Sequence, residues 1–503
     1  MNSLLRRAPL LILPPLALLA ILLRLAGLDR SLWLDETWVA NSVLNHSLAG
    51  MFYYEGWLQT TPPLFLLLLR ASVLLFGEND LAFRLPPLLF SLASLWLFWQ
   101  LLASALPHRP ALRLLGWTLF AFAPETLLRA TEAKQYSADA FAACLLLWLA
   151  LRQRHSLPHA WAFLVAVPLC FSLSYASLFV LPACLFVLLR RPRFFLASSA
   201  LAAATFLPLY FFLIQPNTNS VLRDFWDIQR PSLPWPKYLV WQVQTLSSHL
   251  LRWQGQSLPF RLAPLFLLPL LPAILRRPFR PALRLAVLPL LCLLAADLFR
   301  LYPVFLRTTL VLLPSLILLL LTNLALLRLP RFSPRLLAGA WLFLALAFTF
   351  FQTQQISFSR LATPIENNRD AVAHLAEYFQ KGDALLLHAS MLEPYRLYSQ
   401  RYALESLPVL QAHTASPCCP RAVRQARSTS SASLLAADLA RTLPSPLPTR
   451  LWYLTTNRAD HWSWTQFDDR FPTFTYLQRR GCKQKPTPLF EGVGLVLFAC
   501  SSE

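Results

Sequence analysis

Residues 8–40 read APLLILPPLALLAILLRLAGLDRSLWLDETWVA, and two properties of this stretch decide the fold. The run from Ala8 to Leu28 is apolar, interrupted only by Arg24. It is as long as the roughly 20 residues that a helix needs to cross a bilayer. Arg6 and Arg7 precede it like the charged start of a signal peptide, yet no A-x-A-like cleavage site follows. The run therefore reads as an uncleaved first span. Directly beyond it, Asp35 and Glu36 stand side by side between Trp33 and Trp38.

The rest of the chain repeats the apolar theme. Of 503 residues, 56% are hydrophobic and 14% charged, against about 45–50% and 25% in a soluble domain. Disorder, a collagen-like chain and an ordinary cytosolic enzyme are excluded. Further apolar runs fall at 82–106, 114–131, 137–151, 161–177, 178–189, 194–214, 260–275, 282–298, 304–327 and 336–351. The expectation is a mainly α, polytopic transmembrane bundle of about 11 spans. Leu64–Phe76 is too short to span and contains Arg70, so it reads as a helix lying along the interface.

Lys and Arg total 45 against 24 Asp and Glu, a formal charge of +21. On a soluble chain that excess would suggest nucleic acid. Here the charges lie between apolar runs, which makes them topology signals, and no nucleic-acid partner is expected. With the N-terminus inside, the inner segments are 1–7, 107–113, 151–160, 190–193, 276–284 and 328–335. They carry arginines such as Arg109, Arg113, Arg190, Arg191, Arg276 and Arg277, and no Asp or Glu. The expected location is the cytoplasmic membrane, with a cytoplasmic N-terminus and the polar chemistry on the outer face.

Beyond residue 351 the pattern changes. Val372, Leu375 and Phe379 form a helical stripe, and Ala384–His388, Leu451–Thr455 and Val493–Cys500 read as buried strands. The chain thus divides into a membrane part, 1–351, with a first outer loop at 29–81, and a small extracytoplasmic α/β domain, 352–503. Residues 412–450 are rich in Ser, Pro, Arg and Ala and read as a long loop. An outer location permits disulfides. Cys482 and Cys500 flank the last strand and are the favoured pair, whereas adjacent Cys418 and Cys419 would pair outward more easily than with each other.

Four polar clusters fall on the outer side. Asp35 and Glu36 form the first; the bland alternative is that Asp35 only N-caps the following helix. The second is Gln59-Thr60-Thr61-Pro62-Pro63, where a proline suits a first helical turn. The third holds Glu125, Arg129, Glu132, Lys134, Tyr136 and Asp139; its alternative is a local ion-pair network. The fourth runs from Arg300 to Thr309, where Arg307 either snorkels to the interface or holds an anionic head group.

Acids and cations beside lipid suit one reaction well. A sugar carried on a lipid phosphate stays in the membrane while a carboxylate deprotonates an acceptor hydroxyl. Charge developing on the leaving phosphate calls for Lys or Arg. No Gly-rich phosphate loop is present among the 11 glycines, which disfavours a nucleotide-sugar donor. No ligand spacing demands a metal, and a divalent cation beside Asp35 and Glu36 is left open.

In these same stretches the sequence resembles the GT-C glycosyltransferases, in particular the family-39-like group. That group includes protein O-mannosyltransferases, the lipid A aminoarabinose transferase and Rgt-type lipopolysaccharide galacturonosyltransferases. The matching segments are LWLDETWVA (32–40), QTTPPLFLLL (59–68), GENDLAFRLPPLLF (77–90), ATEAKQYSADAF (130–141), YPVFLRTTLVLLP (302–314) and NRDAVAHLAEYFQKGDALLL (368–387). The resemblance implies catalytic Asp35, as base or acceptor-binding carboxylate, with Glu36 as its neighbour. It implies Lys134 and Arg307 as ligands of the donor phosphate, and Glu132 and Tyr136 as residues orienting Lys134. Thr61 stands where many relatives have His or Lys, and Lys134 where many have Arg, so a bidentate fork is lost there. The implied donor is a polyprenyl-phosphate sugar; the acceptor is an envelope glycolipid, glycan or protein.

Two other classes fit the composition. A secondary transporter or lipid flippase would carry internal repeats and ionisable groups near the midplane; no clear repeat is present and the acids avoid span centres. A non-catalytic membrane protein handling an envelope polymer would bind polyprenyl phosphate without turnover. The topology is directly testable. Alkaline phosphatase fused at residue 30 or 360 is expected to be active, and fused within 107–113 inactive. The reverse pattern would place the acidic pair in the cytosol.

Overall fold

The computed structural model describes residues 2–45, 47–54, 60–153, 156–218, 220–249, 252–253, 256–257, 280–326, 333–404, 407–411, 439–456 and 470–501. The described chain is mostly helical and divides into two compact units. A helical unit comprises Met1–Leu28, Thr61–Phe212 and Pro231–Ala362. A mixed unit gathers Asp29–Thr60, Leu213–Arg230 and Thr363–Glu503. The segment Asp29–Thr60 and the C-terminal residues thus belong to one body, although more than 300 residues separate them in the chain.

Among the described residues, five stretches are helical, long and apolar enough to cross a membrane: Ala8–Leu25, Asp80–Ala105, Pro192–Asn217, Pro281–Leu298 and Leu336–Gln355. Shorter apolar helices cover Pro63–Phe76, Leu157–Leu173 and Leu310–Ala325. Helix Tyr136–Arg152 lies at the centre, packed against Asp80–Ala105, Leu157–Leu173, Leu181–Leu188 and the turn Leu310–Leu312. The apolar run expected at 260–275 lies outside the described residues.

Prolines move several helix ends away from the limits of the apolar runs. The 114–131 run breaks into Pro110–Ala121 and a short helix, Pro124–Leu128. Pro124 has no N–H to continue the first helix and disfavours helical geometry in the residue before it. The 178–189 run yields only Leu181–Leu188 after a 3-10 turn at Tyr175–Phe179. Eight helical residues rise about 12 Å, less than half of a ~30 Å hydrocarbon core. The 304–327 run becomes helical only from Leu310, so Arg307 lies in a turn rather than on a helix. The 14-residue helix Pro63–Phe76 starts with Pro63 in its first turn and exposes Leu74, Leu75 and Phe76. An apolar face of that kind suits the membrane interface.

The mixed unit contains a five-stranded sheet in the order Val409–Gln411, Ala384–Leu387, Arg450–Thr456, Val493–Cys500, Cys482–Lys485. Ala384–Leu387 runs parallel to both of its neighbours, and the last two pairings are antiparallel. Helix Asn368–Tyr378 buries Val372 and Leu375, as the stripe predicts, whereas Phe379 follows the helix end in extended backbone and is only partly buried. One face of the sheet packs Leu386, Tyr453 and Phe498 against Leu477 and Phe474. Cys482 and Cys500 are register partners across the last pairing and are disulfide-bonded. Cys418 and Cys419, with most of the 412–450 loop, lie outside the described residues.

Cys500→Ser opens a loop with a sequence separation of 18 residues. It is expected to destabilise the mixed unit by about 3 kcal/mol, read as faster cleavage by protease in detergent.

Candidate functional site

In the mixed unit, Asp35 and Glu36 sit in the first turn of the helix Leu34–Val43, every residue of which is buried. Carboxylates are favoured there because unpaired N–H groups make a helix start electropositive. The capping position falls on Trp33, not on Asp35. Glu36 reaches back one turn, and its Oε2 accepts a hydrogen bond from the Trp33 N–H at 3.2 Å. The local capping task thus falls to Glu36 instead of Asp35, which is itself only 7% exposed.

The rest of this helix start is held by residues from far along the chain. The Leu34 N–H donates to Glu366 Oε2 at 2.9 Å. Asn368 Nδ2 donates to the Leu32 carbonyl at 2.9 Å and the Leu32 N–H to the Tyr398 hydroxyl at 2.9 Å. The Arg369 N–H donates to Ser31 Oγ at 3.0 Å, and the Arg369 guanidinium pairs with Asp29. Trp33, Leu34 and Trp38 pack together with Ile365. Lower on the helix, Asn41 Nδ2 donates to Glu393 Oε2 at 2.6 Å, which also accepts from the Tyr54 hydroxyl at 2.7 Å. Arg396 completes that group, 3.0 Å from the other Glu393 oxygen. Burial, then the bond to Glu393, pushes the Tyr54 hydroxyl above its ordinary range, so it remains a donor at every physiological pH.

In the helical unit, the third and fourth clusters converge. The turn Leu310–Leu312 packs on helix Tyr136–Arg152. Arg129 pairs with Glu125 at 3.1 Å and with Glu132 at 2.6 Å, and lies 5.9 Å from the Tyr136 ring centroid. Glu132 and Tyr136 therefore both engage Arg129, and of the network expected among Arg129, Glu132 and Lys134 the structure gives the Arg129–Glu132 pair, with Glu125 as its second carboxylate. Lys134 is 1% exposed. Its backbone N–H donates to the Glu132 carbonyl, closing a tight turn just before the central helix. Arg84, also buried, donates to the Thr131 carbonyl at 2.8 Å and ties this turn to the start of helix Asp80–Ala105.

Arg307 is half-buried in the turn that follows Tyr302-Pro303. Asp297 organises that turn. Its carboxylate accepts from the Val304 N–H at 3.1 Å and from Tyr238 and Gln242, each at 2.6 Å. Thr308 Oγ1 then accepts from the Phe305 N–H, and His249 bonds Thr309 Oγ1 at 2.7 Å. Sequence reasoning gave no role to Asp297, Glu366, Glu393 or Tyr398. Only Asp297 carried a local signal, an acid at the end of an apolar run. Among the described residues, no group of three or more His, Cys, Asp and Glu is arranged to hold a metal ion.

An apolar helical unit joined to a small sheet-containing unit, with polar groups gathered at helix ends, is the GT-C architecture, and the chain has that fold. The particular likeness is to ArnT from Cupriavidus metallidurans. Its structure bound to undecaprenyl phosphate matches with a TM-score of 0.52 and 12% identity, covering 98% of each chain. Its apo structure matches with a TM-score of 0.51 and 13% identity over the same coverage. No protein-family model matches the sequence, and no curated protein does. The fold and its apolar helices make the chain a multi-pass membrane protein.

Glu393→Ala deprives Asn41, Tyr54 and Arg396 of a shared acceptor. It is expected to lower the stability of the mixed unit by about 2 kcal/mol, with Glu393→Gln intermediate, as measured by thermal unfolding in detergent.

Proposed function

We propose that this protein is a membrane glycosyltransferase. It moves a sugar from a polyprenyl-phosphate carrier to an acceptor hydroxyl at the outer face of the cytoplasmic membrane. The observation that carries the reading is the acidic helix start. Both carboxylates lie buried in the first turn, and Asp35 is the one assigned to chemistry. The likeness to a structure that holds undecaprenyl phosphate supports a lipid-phosphate carrier.

In this reading Asp35 takes the proton from the acceptor hydroxyl as the oxygen attacks the anomeric carbon. The bond from that carbon to the phosphate oxygen breaks, and the phosphate leaves with the electron pair. Its charge grows by one, so it needs no protonation but does need cations. Lys134 and Arg307 are assigned that role, with Glu132 and Tyr136 as supporting residues. Lys134 supplies a point charge rather than a two-pronged donor. The acceptor is an envelope glycolipid, glycan or protein.

Mass spectrometry of glycolipids and envelope glycans from cells with and without the gene is expected to reveal one missing sugar. Asp35→Asn is expected to abolish that modification while the protein still accumulates in membranes. Normal modification by this variant removes the catalytic assignment. Lys134→Met is expected to lower transfer about a hundredfold, with partial recovery in Lys134→Arg. Accumulation of a lipid-linked sugar in sealed vesicles, with no new glycoconjugate, would instead make the protein a transporter.

A further inference from the structure

We infer that Glu366 is a positioning residue for Asp35, an inference that rests on the glycosyltransferase reading above. The helix that carries Asp35 begins with two buried N–H groups, each ending on a carboxylate. The Trp33 N–H uses Glu36 from its own turn, and the Leu34 N–H uses Glu366 from 332 residues away. Leu34 immediately precedes Asp35, so the Glu366 bond acts one residue from the proposed base. Glu366 is 1% exposed and also accepts from Asn368 Nδ2 at 3.2 Å. Asn368 in turn grips the Leu32 carbonyl, so one side chain orients the carboxylate and holds the chain leading into the helix.

Glu366 is itself fixed from behind. The Asn367 N–H donates to the Glu491 carbonyl at 2.7 Å. The next residue, Gly492, has φ +66°, and a Cβ there would stand 2.3 Å from the Ile365 carbonyl oxygen and 3.1 Å from Glu366 Cα. Only glycine lets the turn before strand Val493–Cys500 press this closely on Ile365–Glu366. The contact therefore runs from the turn before strand Val493–Cys500 through Glu366 to the backbone beside Asp35. Catalytic groups must be held to within a fraction of an ångström, and a carboxylate on the adjacent amide supplies that restraint.

The test uses the full chain purified in detergent and compares Glu366→Ala, Glu366→Gln and Asp35→Asn. Transfer is read as the product found by the envelope comparison, and carrier binding as the Kd for undecaprenyl phosphate. Glu366→Ala is expected to lower transfer roughly ten- to a hundredfold with the Kd unchanged. Glu366→Gln, which keeps an oxygen acceptor for the Leu34 N–H, is expected to recover most of the loss. Amide exchange over residues 32–44 is expected to rise in Glu366→Ala, while exchange over strand residues 493–500 stays as in the wild type. Should Glu366→Ala fail to accumulate, Glu366→Asp withdraws the carboxylate by one methylene and is expected to lower transfer in the same way. Wild-type transfer in both Glu366→Ala and Glu366→Asp, or unchanged exchange over 32–44, overturns the inference. Normal transfer by Asp35→Asn defeats the functional reading instead, and the exchange measurement still decides whether Glu366 holds the turn.

Discussion

A lipid bilayer supplies no hydrogen-bond partner, so each polar group taken out of water must find one in the protein. Arg24 follows this rule. It is 1% exposed within the first apolar helix, and its guanidinium bonds Ser91 Oγ and the carbonyls of Ala20 and Ala121. Three helices are joined by one side chain that pairs with neutral oxygens. Arg129 follows the same rule with two carboxylates, and Asp297 with a backbone amide, a tyrosine and a glutamine. The polar groups of the helical unit therefore fix the turns in which they sit. Lys134 and Arg307 inherit their places from those turns.

The mixed unit applies the same economy to a helix start. The segment 29–54 carries little of its own structure: a ten-residue helix, a five-residue helix and their flanks. Residues 365–398 provide its acceptors and donors. Glu366, Asn368, Arg369, Glu393 and Tyr398 each bond a group between Ser31 and Tyr54. A small α/β domain appended to a membrane protein is easily taken for a separate binding module. Here part of it is the wall against which the acidic helix is built. That arrangement also explains why the turn before strand Val493–Cys500, through Gly492, is pressed so closely on the backbone at Ile365.

Much of this was legible in local sequence. Apolar run lengths marked the long helices, and proline placement accounts for the breaks at Pro124 and before Leu181. The run 493–500 read as a strand flanked by cysteines, and those cysteines are bonded. The pair Asp35–Glu36 read as a polar start just past an apolar run, and it opens a helix. The alternative in which Asp35 only caps the helix does not hold, because Trp33 rather than Asp35 occupies the position before the helix. A cap depends on where the first helical residue falls, and residue type alone does not locate it.

By itself the sequence determined the class of fold. Hydrophobic length, helical stripes and strand runs act over a few turns, and local chemistry is enough to read them. Only the tertiary structure decided which distant groups close the local networks. Glu366 on the amide of Leu34, Asp297 on the amide of Val304 and Arg24 across three helices all bring together residues that periodicity does not relate. A buried donor accepts any well-placed oxygen, wherever it lies in the chain. Its partner is therefore chosen by packing, and packing exists only once the chain has folded.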